Sequence, residues 1–128
     1  MRTLVLLSGV WNLMLGACIA VPPIATRIGV TTPHFFWNQI LLGVLGITGV
    51  FLVLASHDLA RRATLVYWEG IARICAAILL FTVGRDVIGW GAWLIGATDL
   101  LWAIVYLAGL PRAARATHIQ LLLDRVPR

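Results

Sequence analysis

Uninterrupted apolar stretches, rather than alternation, dominate this chain. The first extends from about Leu4 to Val21, where Pro22-Pro23 stops it. The second covers about Phe35 to Ser56, ahead of His57-Asp58. The third covers about Ala63 to Val83, and the fourth about Val87 to Leu110, with Pro111 as its expected end. Each approaches the ~20 residues that a helix needs to cross the hydrocarbon of a bilayer. Period-two alternation is missing, and a spanning segment has to satisfy its own backbone hydrogen bonds, so runs of this length predict helices. The expected fold is all-α: an integral membrane bundle of four transmembrane helices in residues 1–110, followed by a tail over 111–128. Within the tail, Ile119, Leu122, Leu123 and Val126 share one helical face. That suits an amphipathic helix on the membrane surface and a solvated, frayed end equally. The first run makes a poor cleavable leader, because one arginine precedes it and no small-x-small site leads into a soluble domain.

Composition excludes a water-soluble domain. Of 128 residues, 61% are hydrophobic and 12% charged, against about a quarter charged in ordinary globular domains. A soluble fold this small has more surface than so few charges can cover. Lysine is absent, and ten arginines against five acids give a formal charge of +5. Such an excess would suit nucleic acid or anionic lipid, but the arginines sit at the edges of the apolar runs and not along one stripe, so nucleic acid is discounted. Seven of them (Arg2, Arg61, Arg62, Arg112, Arg115, Arg125, Arg128) fall on one side of the predicted bundle, and Arg27 and Arg85 on the other. The positive-inside rule then puts both termini in the cytoplasm, for a multi-pass protein of the inner membrane. Phe35, Phe36, Trp37, Trp90 and Trp93 gather at the outer interface, where amphipathic rings are expected. Cys18 and Cys75 lie inside apolar runs without a CxxC pattern and read as small hydrophobes. His34, His57 and His118 are too scattered for haem or metal. No cofactor is expected.

The chemistry lies in the residues that do not belong in lipid. An ion at mid-membrane costs roughly 2.5–3.5 kcal/mol on insertion scales. Asn12, Arg73 and Asp99 each lie about eight to ten residues from the inner face, close to mid-membrane at ~1.5 Å per residue. Glu69 precedes Arg73 by four residues and shares its helix face. Small and polar residues continue each face: Ser8, Asn12, Gly16 and Ala20; Gln39, Gly43, Gly46 and Gly49; Gly70, Arg73, Ala76 and Ala77; Gly96, Asp99, Ala103 and Tyr106. Such stripes let helices approach closely and hydrogen-bond across the contact. The polar groups therefore form either a closed internal network or the floor of a cavity, with Trp11 and Trp102 as walls at similar depth. Asn38 and Gln39, near His34, Arg85 and Asp86, are candidates for a ligand headgroup at the outer mouth or for a solvated loop.

Phe36-Trp37, then Gly43, Gly46 and Gly49, then His57-Asp58-Leu59-Ala60-Arg61-Arg62 resemble small bacterial four-helix membrane proteins of the DoxX-like and BphX-like kind. The resemblance extends through Trp11-Asn12 and Asp99-Leu100-Leu101. It implies the architecture and transfers no functional residue. Small multidrug transporters carry an essential glutamate where this chain has Asn12, quinone-linked disulfide enzymes need cysteine pairs, and eicosanoid-type transferases need an arginine-rich motif missing here. The expected function is binding of a membrane lipid or other lipophilic small molecule, with acid/base chemistry of the isomerase, cyclase or epoxide-opening type. Asp99 or Glu69 would donate a proton and the other accept one, Arg73 would hold the ionised partner, and Asn12 would orient substrate or water. Two alternatives stand beside it. One is a non-catalytic subunit of a larger membrane complex, docked through the glycines of the second run. The other is a homo-oligomeric proton-coupled transporter, favoured by a Gly-x-x-Asn/Asp-Leu pattern shared by Gly9–Leu13 and Gly96–Leu100.

Overall fold

The computed structural model describes residues 1–126; Arg128, one of the seven arginines counted above, lies outside the described residues. Among the described residues every regular element is helical. In chain order these are α1 (Arg2–Ala20), α2 (Pro22–Arg27), α3 (Phe35–His57), α4 (Leu59–Leu79), a π-helical turn (Leu80–Gly84), α5 (Arg85–Ile88), α6 (Gly91–Ala114) and α7 (His118–Leu122). By length and composition α1, α3 and α6 are able to cross a membrane. α4 is as long, but Arg61, Arg62, Glu69 and Arg73 make it far less apolar.

Two antiparallel pairs make up the molecule. α1 packs on α3 through glycine: a Cβ added at Gly9 would lie 2.8 Å from the Gly49 carbonyl oxygen, and one at Gly49 would meet Leu13 at the same distance. Backbones this close need both positions to be glycine. α4 packs on α6, where Gly70 lies under Tyr106, and Gly96 under Leu80 and Phe81. Met1 rests on Gly109, so the start of α1 and the end of α6 share one end of the molecule. α3 and α4 approach each other much less closely than the members of either pair.

The interruptions fall where backbone chemistry dictates rather than where charge does. The gap between the third and fourth apolar runs falls on Gly84-Arg85-Asp86, yet the chain stays helical through it as far as Ile88. It breaks at Gly89, whose φ of +88° suits glycine alone. Val87 and Ile88 therefore end the third rod instead of opening the fourth. Pro111 likewise does not end α6, which continues to Ala114. The proline costs one intrahelical donor, and the turn beyond it closes with Ala116 N–H donating to the Pro111 carbonyl.

At the end opposite the termini, the two connecting loops interlock. Thr31 N–H donates to the Ile88 carbonyl (2.8 Å) and Gly91 N–H to the Gly29 carbonyl (2.9 Å). Gly29, at φ +77°, lies flat under the Trp90 indole with no room for a Cβ. At the terminal end α7 begins with a capping box in which Thr117 and Gln120 satisfy each other's backbone N–H. It docks on α4 through fully buried Leu121, a Tyr67 hydroxyl to His118 Nδ1 contact of 2.9 Å, and a bond from Trp68 Nε1 to the Leu122 carbonyl. The apolar face expected from Ile119, Leu122 and Leu123 instead points outward. A single turn offers one inward position, and Leu121 takes it.

Candidate functional site

Arg73 is the centre of the molecule's polar interior. Its side chain is 4% exposed. Nη1 donates to Asp99 Oδ1 at 2.6 Å, and Nη2 donates to Asn12 Oδ1 at 2.9 Å and to Ser8 Oγ at 3.3 Å. Nε lies 3.3 Å from Glu69 Oε1, one helical turn earlier, but the approach is bent and Nε makes no hydrogen bond. Asn12 passes the network to α3 by donating from Nδ2 to Thr48 Oγ1 at 2.9 Å, and Thr48 donates on to the Val44 carbonyl. Groups from α1, α3, α4 and α6 thus converge at one depth. A buried charge needs both a counterion and hydrogen bonds to offset its lost hydration, and Arg73 has both.

Asn12, Glu69, Arg73 and Asp99, the polar core expected from sequence, are brought together. The Gly-x-x-Asn/Asp-Leu pattern places Asn12 and Asp99 on different nitrogens of the same guanidinium. The other candidates lie elsewhere. Trp11 precedes Asn12 by one residue, about 100° round the helix, so it faces outward when Asn12 faces inward. Trp102 stacks at an angle on Tyr106, with ring centroids 6.3 Å apart, nearer the terminal end. Tyr106 is fully buried below Arg73, whose guanidinium carbon lies 6.0 Å from its ring centre, and its hydroxyl faces Ser8 without a well-formed hydrogen bond. Asn38 donates from Nδ2 to the Ile19 carbonyl at 3.0 Å and accepts from Thr32, so its amide ties α3 to α1. Gln39 is exposed. Of the glycines on α3 only Gly49 faces its own bundle closely; at Gly43 and Gly46 a Cβ would meet nothing within 4 Å.

A cavity of about 430 Å³ lies above this network. Asn12, Thr48, Glu69, Arg73 and Asp99 form its polar floor. Its walls are aliphatic, with Leu41, Val44 and Leu45 from α3 facing Ala72, Ala76 and Leu79 from α4. Ile19, Ile88 and Ile95 close the far end, and Leu80 of the π-helical turn joins the lining. Val44, Ala72 and Leu79 are also exposed on the outer surface, so the cavity opens sideways between α3 and α4. Its volume is within the usual range of small-molecule sites, about 300–1,000 Å³.

Sequence reasoning missed Thr48. It lies nine residues before His57, at the same depth as the other three, and that count would have found it. Among the described residues no group of three or more His, Cys, Asp or Glu comes together as a metal site would require. Cys18 and Cys75 are free thiols.

Comparison with known proteins leaves the site to be interpreted from its own geometry. The chain matches no protein-family model, no curated protein and no solved structure. Its chemistry consists of one guanidinium held by two carboxylates, an amide and a hydroxyl, beneath an apolar chamber with a lateral opening.

Proposed function

We propose that this chain is a membrane protein of four spans that binds a lipophilic molecule with its polar head on the Arg73 floor. Supporting the fourth span, the rod from Leu59 to Ile88 is continuous through its π-helical turn and turns Glu69 and Arg73 away from its outer surface. The arginine distribution favours the inner membrane with both termini cytoplasmic. The resemblance of the sequence to small four-helix membrane proteins of the DoxX-like and BphX-like kind supports the count of four spans. One observation carries the functional reading: an aliphatic chamber that opens sideways onto what would be acyl chains, with Arg73, Glu69 and Asp99 at its base.

The same floor is suited to proton transfer. Asp99 is held to Arg73 by a direct 2.6 Å bond, whereas Glu69 has only a bent contact and no directed hydrogen bond. Glu69 is therefore the proton carrier and Asp99 the partner that fixes Arg73. Isomerisation, ring closure or epoxide opening of an isoprenoid or sterol-like molecule requires a proton delivered and removed in this way.

Native mass spectrometry of protein released from mild detergent tests the binding. A stoichiometric lipophilic adduct is expected. It should be lost when Ala72→Trp fills the chamber, with helicity by circular dichroism unchanged. A bare parent protein, or an adduct that survives the substitution, would overturn the proposal. Gly43 and Gly46, whose Cβ positions are open, favour a second reading in which α3 also docks another helix, from a second copy or a larger complex. Cysteine crosslinking from position 43 in native membranes distinguishes the two partners.

A further inference from the structure

The hydrogen-bonding groups left over on the floor select the head group. Resting on the lipophile-binding reading above, we infer that the ligand carries a hydroxyl, which accepts from Arg73 and donates to Glu69. Arg73 Nε is a buried donor with no hydrogen bond, on a side chain only 4% exposed that belongs to the cavity floor. The nearest acceptor, Glu69 Oε1, is 3.3 Å away but poorly directed. Among the described residues Glu69 has no hydrogen-bond partner, and its side chain is 18% exposed on the cavity side of the network. The floor thus offers one unmet donor beside one unmet acceptor. A small rotation of Glu69 admits one oxygen between them, replacing a bent contact with two directed bonds.

Few head groups meet both requirements. An ether or ketone accepts from Nε–H but has no proton for Glu69. An ammonium donates to Glu69 but leaves Nε–H unmet and adds a cation beside Arg73. A carboxylate would bring a third acid group to a floor that already has two against one guanidinium. A hydrocarbon leaves both groups as they are. An alcohol satisfies donor and acceptor together, and a buried polar group left unpaired is costly enough for that difference to decide affinity. The aliphatic walls from Leu41 to Leu79 supply the apolar share of binding to an alkyl or isoprenoid chain.

The test uses the unaltered protein in phosphatidylcholine nanodiscs and four photoreactive probes with the same tetradecyl chain: the alcohol, its methyl ether, the ammonium and the plain hydrocarbon. Labelling is measured against the mole fraction of probe in the lipid, and labelled residues are located by peptide mass spectrometry. The alcohol is expected to label the wall around Val44, Leu45 and Leu79 at about tenfold lower mole fraction than the ether, the fold-change of one directed hydrogen bond to a charged group, and by a wider margin than the hydrocarbon, which makes neither bond. Glu69→Leu should bring the alcohol level with the ether. Equal labelling by alcohol, ether and hydrocarbon overturns the hydroxyl inference and leaves lipophile binding intact. Preferred labelling by the ammonium overturns it as well. Labelling of the cavity by none of the four overturns the underlying reading too.

Discussion

Replacing Arg73 with methionine should be the most damaging single change available in this protein. The substitution keeps an unbranched apolar stem and removes a guanidinium that bonds Asp99 at 2.6 Å and Asn12 at 2.9 Å and lies 3.3 Å from Glu69. Two carboxylates, whose side chains are 16% and 18% exposed, then face each other without a countercharge. Breaking a buried ion pair from one side costs about 3–5 kcal/mol, because the remaining charge has neither water nor partner. Asp99→Asn differs in kind. Arg73 keeps Glu69 as its counterion, and the loss is one charge-assisted hydrogen bond, about 1.5–3 kcal/mol. Glu69→Gln removes only a bent contact and should cost the least. A triple variant, Arg73→Met with Asp99→Leu and Glu69→Leu, removes every charge at once and should recover most of the stability, since an apolar replacement of a whole buried network is often neutral. Reversible unfolding by dodecyl sulfate in mixed micelles measures all four. If Arg73→Met is no worse than Asp99→Asn, or if the triple variant is as unstable as Arg73→Met, the buried-charge account is wrong.

Three further outcomes are expected in the same assay. Gly49→Val should cost about 1–3 kcal/mol, because its branched side chain would press on Leu13 and on the Gly9 carbonyl, while Gly43→Val should stay within about 0.5 kcal/mol of the parent. Tyr106→Phe deletes a buried hydroxyl that faces Ser8 without a well-formed hydrogen bond, so stability should hold or rise by up to about 1 kcal/mol; a clear loss would show that the Ser8 contact is a true bond. Asn38→Leu strands the Ile19 carbonyl and the Thr32 hydroxyl and should lower stability by about 1–3 kcal/mol, with helix content retained by circular dichroism.

Reading depth along the apolar runs was enough to gather Asn12, Glu69, Arg73 and Asp99, because a charge far from water must turn toward another charge. The same reasoning misplaced residues whose position depends on angle rather than depth. Trp11 shares the depth of Asn12 and none of its direction. Asn38 has the chemistry of a ligand contact, but the carbonyl that it satisfies belongs to Ile19, a residue distant in sequence. Breaks in the rods were read from the gap at Gly84-Arg85-Asp86 and from Pro111, whereas a helix ends where dihedral angles force it to, at Gly89 and after Ala114. A cavity floor was one of the two arrangements that the polar residues allowed, but its aliphatic walls and its opening between α3 and α4 were not legible in the sequence. The cavity arises because α3 and α4, neighbours along the chain, pack on α1 and α6 in preference to each other, and no local pattern records that choice.

The interlocked glycine loops have a bearing on exchange. α3 and α4 are joined by main chain through Asp58 at one end, and at the other the loop leading into α3 is tied to the end of the rod that carries α4 by the bond from Thr31 to Ile88, and to the start of α6 by that from Gly91 to Gly29. The gap between them is thus a buttonhole, sewn at top and bottom and free only along its middle. A guest would come and go through the plane of the bilayer without crossing water. Its occupancy would then follow its abundance among the surrounding lipids, and a dissociation constant expressed per litre of buffer would describe the wrong phase.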